Sequence, residues 1–476
     1  MTRRTFLTAS AMAALTGAQG RHPNVLMIAV DDWNDWVGAM GGHPQVKTPN
    51  LDRLSARGVL FTDSHTAAPI CNPSRTALLT GRRPSTTGVY GNDEEPWRKQ
   101  LPNVVTLPQH FRANGYVAVG GGKVFHHGGG FNDPASWDDY YFWNPKGKAN
   151  NWTDGYSFPP DPEPKRPVTP MPSVSWRNFD WAPLDVDESM MPDYKVSGWA
   201  SEVLSARHDK PFFLAAGMFR PHIPWFVPKK WFDLYPLDSL VLPAVKEDDL
   251  DDVPPFARRI ALNQHSRHDL LVSTGNWKRA VQAYLACISF SDAMVGRMLD
   301  ALDKGPHREN TVVVLWSDHG YHLGEKWHWH KQSLWHRATH VPMVIAAPAV
   351  TKPGTRCNRP VGLIDLYPTI TELAGLKPPP GLDGISLTPL LSNPGREWER
   401  PAITTYGRGN HAVRSERWSY IRYHDGSEEL YDRRQDGQEW INLAPREGME
   451  DVKRELRKWL PASEAPGDSV PTGVTD

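Results

Sequence analysis

The chain has 476 residues, 39% hydrophobic and 22% charged, with a formal net charge of −1. That length holds one large domain and a smaller one. The charge balance creates no bulk field for nucleic acid or an anionic membrane surface, so any anion site must be local.

Residues 1–20 read as a targeting segment rather than as fold. Thr2-Arg3-Arg4-Thr5-Phe6-Leu7 places twin arginines before an apolar run that ends at Leu15, and small residues surround Ala18. This is the pattern of a twin-arginine export signal, which predicts a periplasmic or secreted protein. The apolar run is too short to span a bilayer, no cysteine follows it for lipidation, and no later stretch reaches spanning length, so no membrane insertion is expected once the signal is removed.

Four apolar runs then end in reactive polar residues. Asn24–Val30 leads into Asp31-Asp32, and Tyr116-Val117-Ala118-Val119 leads through Gly120-Gly121-Gly122 into Lys123. Residues 211–216 lead to Arg220-Pro221-His222, and residues 311–316 lead to Ser317-Asp318-His319-Gly320. Continuous apolar runs suit strands buried on both faces of a parallel sheet. Helical patterns lie between them at 49–57, at 193–206 and at 277–302, the last with Val281, Tyr284, Leu285, Ile288, Val295, Met298, Leu299 and Leu302 on one stripe. Alternating strands and helices predict an α/β fold, whose ligands bind at the carboxyl ends of the strands. The polar clusters therefore converge on one edge of the sheet.

Residues 131–192 break the rhythm with a density of proline and aromatic residues, and read as one long ordered loop packed across the domain, a wall for a substrate cleft. Residues 341–347 supply another core strand. From Ala402 the pattern changes to short strands at 403–406, 412–414, 418–423 and 429–431, with a hairpin signal at Asp425-Gly426 and a last helix at 451–460. The domain reading is a signal over 1–20, an α/β domain over 21–395 and a small C-terminal α+β subdomain over 396–476.

Three cysteines, Cys71, Cys287 and Cys357, cannot build a disulfide framework. Cys287 and Cys357 read either as a pair or as buried free thiols. Cys71 opens a short helix that Gly81 ends, with Pro73 in the first turn, where its missing N–H costs nothing. The helix N-terminus favours an anion, and Ser74 and Arg75 add a hydroxyl and a permanent cation. Asp31, Asp32 and Asp318 place three carboxylates at neighbouring strand ends. Left alone they repel one another, and a hard divalent cation resolves the conflict, with oxygen ligands that suit calcium or magnesium.

Cys71-Asn72-Pro73-Ser74-Arg75, followed by Leu79-Thr80-Gly81, resembles the signature of the formylglycine-dependent sulfatases. Gly122-Lys123-Val124-Phe125-His126, Arg220-Pro221-His222-Ile223-Pro224, Asp318-His319-Gly320 with Leu323-Gly324-Glu325, and residues 427–432 resemble the iduronate-2-sulfatase-like subgroup. The resemblance covers most of residues 23–443. It implies an alkaline-phosphatase-like α/β sandwich with a large, mostly parallel sheet flanked by helices, plus the small C-terminal antiparallel subdomain. It implies a formylglycine made from Cys71 by a maturation enzyme, and one calcium ion, in preference to magnesium, held by Asp31, Asp32, residue 71, Asp318 and His319. Many sulfatases carry asparagine where this chain has His319, so that histidine reads either as a ligand or as a hydrogen-bond partner of the sulfate. Arg75 is implied to hold the nucleophile, Lys123 and Lys331 to neutralise sulfate oxygens, His222 or Lys331 to protonate the leaving alcohol, and His126 to act as base. His328 and His330 read equally well as solvent-exposed. The implied substrate is a sulfated polysaccharide or oligosaccharide, with uronate 2-O-sulfate favoured and specificity carried by the loop over 131–192 and by residues 327–335. Alternatives are a choline or aryl sulfatase, a phosphate or phosphonate monoester hydrolase, and a non-catalytic binder of sulfated glycans.

Overall fold

A computed structural model of the chain describes residues 22–92, 96–126, 131–141, 168–169, 179–262 and 268–471. The export signal read over 1–20 and the greater part of the loop read over 131–192 lie outside the described residues. Among the described residues, eight strands form the central sheet: β1 (Asn24–Val30), β2 (Val59–Phe61), β3 (Val117–Gly122), β4 (Asp139–Tyr141), β5 (Phe212–Met218), β6 (Thr311–Ser317), β7 (Met343–Ala346) and β8 (Thr355–Cys357). Their spatial order is β8-β2-β7-β6-β1-β5-β3-β4. Only β7 runs antiparallel to its neighbours; the remaining pairs are parallel.

Side chains alternate between the two faces, as the strand period of two requires. Leu26, Ile28 and Val30 pack under the long helix Trp277–Lys304, and Val25, Met27 and Ala29 pack against the opposite layer, which includes Leu366, Tyr367 and Ile370. Cys287 belongs to the first layer and Cys357 to the second, and both are free thiols. The sheet separates them, so the reading as a disulfide pair is corrected.

Register places the functional edge. Val30 pairs with Met218 on one side and Ser317 on the other, and Gly122 pairs with Gly217. The residues that follow (Asp31, Lys123, Phe219 and Asp318) therefore leave the sheet side by side. Gly120-Gly121-Gly122 form the end of β3. The glycines are required by neighbours: a Cβ on Gly120 would lie 2.6 Å from the Tyr140 ring and one on Gly121 2.7 Å from Trp199. The segment over 131–192 also contributes more than a loop, because β4 completes one sheet edge and Trp181–Leu184 pairs with Trp225–Pro228. Strands this short leave no periodic trace in a sequence.

The C-terminal sheet is an antiparallel meander of β9 (Ala402–Thr405), β10 (His411–Arg414), β11 (Trp418–Arg422) and β12 (Glu428–Asp432). It supports the edge from outside. The Thr405 N–H donates to the Ala67 carbonyl (2.9 Å) and the Thr404 hydroxyl to the Thr66 carbonyl (2.6 Å), just before Cys71. Glu429, fully buried, accepts from Trp335 Nε1 (2.9 Å) and the Tyr423 hydroxyl (2.5 Å), and Arg414 donates to the Leu334 carbonyl. His328 and His330 are buried in this region, which corrects the solvent-exposed reading. His328 is held between the carbonyls of Ala261 (2.9 Å) and Lys331 (2.7 Å).

Gly217 tests the register argument, because a Cβ there would lie 2.1 Å from the carbonyl carbon of Lys123. Gly217→Ala is expected to destabilise the protein by about 1–3 kcal/mol, the usual cost of overpacking, and to displace Lys123. Urea unfolding of the two proteins measures the difference.

Candidate active site

Cys71 is the first residue of the helix Cys71–Thr80, which is buried throughout and ends at Gly81 in the left-handed conformation (φ 68°). The Asn72 N–H is already taken by Asn92 Oδ1 (2.8 Å), so the helix end offers fewer free donors than its sequence implies. Local positive charge comes instead from side chains. Cys71 Sγ lies 3.0 Å from Lys331 Nζ, 3.2 Å from His319 Nε2, 3.6 Å from Lys123 Nζ and 3.7 Å from Asp31 Oδ1. Ser74 is structural: its hydroxyl donates to the Asp318 carbonyl (2.6 Å).

The three carboxylates are not left to repel. Arg75 donates through Nε to Asp318 (2.8 Å) and through Nη2 to Asp31 (3.1 Å), Lys331 donates to Asp32 (2.7 Å), and Lys123 donates to the second oxygen of Asp31. Arg75 Nη1 also reaches the carbonyls of Lys123 and Val124, tying the turn after β3 to the helix. All six side chains are buried. Three acids thus meet three cations from the chain itself, in addition to any ion they hold. Burial alone would raise the Asp31 carboxyl, but Lys123, His222, Arg75 and Lys331 hold it well below the usual carboxylate range. Burial prevails at Asp318, pushing it up to about 7 against the pull of Arg75. Lys331 is held well above its ordinary value by Asp32 and the Cys71 sulfur, against the opposing effect of burial.

Two observations show that the cluster fits a cation. Asp32 Oδ2 is buried with no hydrogen-bond partner among the described residues. His319 Nδ1 faces the Gly320 carbonyl (3.0 Å), which can only accept, so the proton sits on Nδ1 and Nε2 carries a lone pair. Burial pushes this imidazole below its ordinary value, against the pull of Asp318. Its lone pair looks at Asp32 Oδ1 (3.4 Å) and Asp318 Oδ2 (3.5 Å), acceptors facing an acceptor. Metal bonds of about 2.4 Å at right angles span about 3.4 Å, the edge that a calcium-sized ion requires. Asp31, Asp318, His319 and Cys71 each offer a ligand atom within 4.8 Å of the others, as do Asp31, Asp32, Cys71 and His222.

His222 is delivered by a stiff loop. Asp193 accepts the N–H groups of Phe219 (2.8 Å) and Arg220 (2.9 Å), and Arg220 donates to the carbonyls of Phe226 (3.0 Å) and His222 (3.1 Å). His222 Nδ1 donates to the Ile223 carbonyl (2.7 Å), which leaves Nε2 as its acceptor. His126 stands apart. Its ring packs edge-on against Phe131 (4.9 Å between centroids), and Cys71 makes no hydrogen bond with it. The basic nitrogen against Sγ is that of His319.

Asp193, Arg220 and Tyr284 are the positioning residues that sequence reasoning missed. Asp32 has φ 61°, a left-handed conformation rare outside glycine. The Tyr284 hydroxyl holds it there, donating to the Asp32 carbonyl (2.7 Å) and accepting from Asn34 N (3.0 Å). In sequence, Tyr284 belongs to an apolar helical stripe, and nothing there distinguishes its hydroxyl from core packing.

Removing Arg75 would strand two buried carboxylates. Arg75→Ala is expected to cost about 3–5 kcal/mol, and Arg75→Lys to recover only part of it, because an ammonium cannot reach both acids in a fork. Denaturant unfolding of the three proteins provides the measurement.

Comparison with known proteins agrees with this construction. Residues 23–376 match the sulfatase family, and residues 324–465 match the family described as N-sulphoglucosamine sulphohydrolase, C-terminal. A sulfatase from Formosa agariphila is 40% identical over 456 residues, covering 94% of this chain and 88% of that protein. Human iduronate 2-sulfatase is 33% identical over 397 residues, covering 75% of this chain and 70% of its own length. The solved structure of a phosphonate monoester hydrolase from Silicibacter pomeroyi superposes with a TM-score of 0.74 at 22% identity, over 92% of this chain and 94% of that one, and so shares the fold. With a family match over most of its length and a cluster of basic side chains and carboxylates around Cys71, the chain belongs to the sulfatase family and is a sulfuric ester hydrolase.

Proposed function

We propose that this protein removes sulfate from sulfated polysaccharides or their oligosaccharides, with a uronate 2-O-sulfate as the favoured target, through a formylglycine made from Cys71 by a maturation enzyme. The observation that carries the reading is the convergence of Lys331, Lys123, His319 and Asp31 on the Cys71 sulfur, all within 3.7 Å. The relative named iduronate 2-sulfatase supports the choice of sugar. The twin arginines Arg3 and Arg4 support export to the compartment where such polymers are met.

Asp31, Asp32, Asp318 and His319 would hold one calcium ion beside residue 71, supplying Lewis-acid polarisation there, and the hydrated aldehyde supplies the attacking hydroxyl. The chain's own residues do the rest. Lys123 and Lys331 aim their ammonium groups at the point where Sγ lies and neutralise sulfate oxygens as charge develops. Arg75 keeps the helix start and the carboxylates in one frame. His222 keeps its Nδ1–H on the Ile223 carbonyl and aims Nε2 at the site, and in the doubly protonated ring Nε2–H donates the proton to the leaving alkoxide. His126 would take up the proton of the hydroxyl left on residue 71 as sulfate departs, because the Nε2 lone pair of His319 would be committed to the ion.

The mature protein is expected to release sulfate from defined sulfated oligosaccharides, and Cys71→Ala to release none. Mass spectrometry of the native Cys71 peptide should show CH₂SH replaced by CHO; an unmodified thiol in active protein would end the formylglycine reading. No release from any sugar, alongside strong turnover of choline or aryl sulfates, would overturn the substrate assignment. Matched sulfate and phosphonate esters test the second chemistry that the shared fold permits. His222→Ala is expected to lower kcat about 10²–10⁴-fold on sugar sulfates and much less on nitrophenyl sulfate, whose leaving group needs no proton. Chelation should abolish turnover, with calcium restoring it better than magnesium.

A further inference from the structure

We propose that Asp35, His336 and His340 form a second metal site, suited to a zinc-class divalent ion and sharing no residue with the Cys71 cluster. His336-Arg337-Ala338-Thr339-His340 spaces two histidines four apart across the short helix His336–Thr339, which puts both rings on one face. Asp35 follows β1 three residues after Asp32. One nitrogen from each ring and one Asp35 oxygen lie within 4.8 Å of one another. The two rings stack with their centroids 4.3 Å apart.

Protonation is set by the surroundings. His340 is 7% exposed, and its Nε2 donates to the Thr62 carbonyl (2.9 Å), so its Nδ1 carries the lone pair. That nitrogen lies 3.4 Å from Asp35 Oδ2, yet is buried without a hydrogen-bond partner. Arg337 occupies the other oxygen of Asp35 and orients the carboxylate. The ring nitrogens of His336 hydrogen-bond to nothing among the described residues. Burial, with the neighbouring His340 ring, holds His336 well below the ordinary imidazole value. The nearby His65 is already committed, with Nε2 on Asp63 (2.9 Å).

Metal bonds of about 2.1 Å in a tetrahedron span an edge of about 3.4 Å, the separation found between His340 Nδ1 and Asp35 Oδ2. Two imidazole nitrogens and one carboxylate favour a borderline ion over calcium. A cavity of about 310 Å³, lined by His336, His340, Asp63, Arg433 and Glu439, gives an ion access and leaves room for water as a fourth ligand. Bound there, the ion would join the segment that follows Asp31 and Asp32 to the segment that follows Lys331.

The experiment uses the full chain stripped with a chelator. Zinc alone is titrated with bound metal counted by mass spectrometry, and cobalt(II) is added separately to read the visible bands of a nitrogen- and oxygen-ligated site. Wild type is compared with His336→Ala, His336→Gln and Asp318→Asn, the last removing a ligand from the Cys71 cluster. Circular dichroism confirms that each variant is folded. The expected result is one zinc equivalent, with cobalt bands, present in wild type and Asp318→Asn and lost in both His336 variants. Zinc binding should raise the Tm of wild type and leave that of the His336 variants unchanged. Equal zinc uptake in wild type and both His336 variants would overturn the site, as would wild-type zinc that disappears only in Asp318→Asn. Wild type without a zinc equivalent would reduce Asp35 and His340 to an ordinary ion pair.

Discussion

Asp31, Asp32 and Asp318 leave two adjacent strands with no surface exposed to water, and the arrangement of the surrounding side chains follows from their charge. Three carboxylates in such a place are tolerable only with partners held at close range. Arg75 is supplied by the helix that starts at Cys71, Lys123 by the turn after β3, and Lys331 by a loop far along the chain. Balancing the acids therefore gathers three separate parts of the sequence around one sulfur. The same pairing gives a sulfate ester a site that is dry and lined with donors, in which electrostatic contacts are stronger than in water.

Everything that positions this cluster is rigid and indirect. The register of β1 against β5 and β6 places the acids, and the glycines of β3 and β5 let their strands close up beside Lys123. Asp193 and Arg220 fasten the His222 loop. The C-terminal meander holds the chain on both sides of the site, through Thr404 and Thr405 before Cys71 and through Glu429 and Arg414 near Lys331. The small sheet contributes no ligand, yet the geometry of the nucleophile and of Lys331 depends on its packing.

His319 and His340 share one construction. Each gives a proton to a backbone carbonyl with one ring nitrogen and turns the other, a lone pair, toward a carboxylate oxygen at 3.4 Å. A carbonyl that fixes the tautomer is a common way of presenting imidazole to a metal. The two differ in their companions. His319 stands among three carboxylates and suits a hard ion, whereas His340 stands beside a second histidine and one carboxylate and suits a softer one.

What the sequence determined by itself was local and chemical. Buried apolar runs named the core strands, Pro73 and Gly81 bounded the helix at Cys71, and the polar residues at the strand ends identified the carboxylates, Lys123 and His222 that the fold brings together, while Lys331 came from the resemblance to the sulfatases. These signals are carried by a few contiguous residues, so they survive in one dimension. Only the tertiary structure decided how charge is balanced, which neighbour each histidine meets and which thiols stay apart. Arg75 pairs with acids more than 40 positions away on one side and more than 240 on the other. Tyr284 looks like core until its hydroxyl meets Asp32. His126 follows Lys123 by three residues yet makes no bond to the sulfur, while His319 does, because the direction of a side chain is set by packing between elements and leaves no mark on residue spacing.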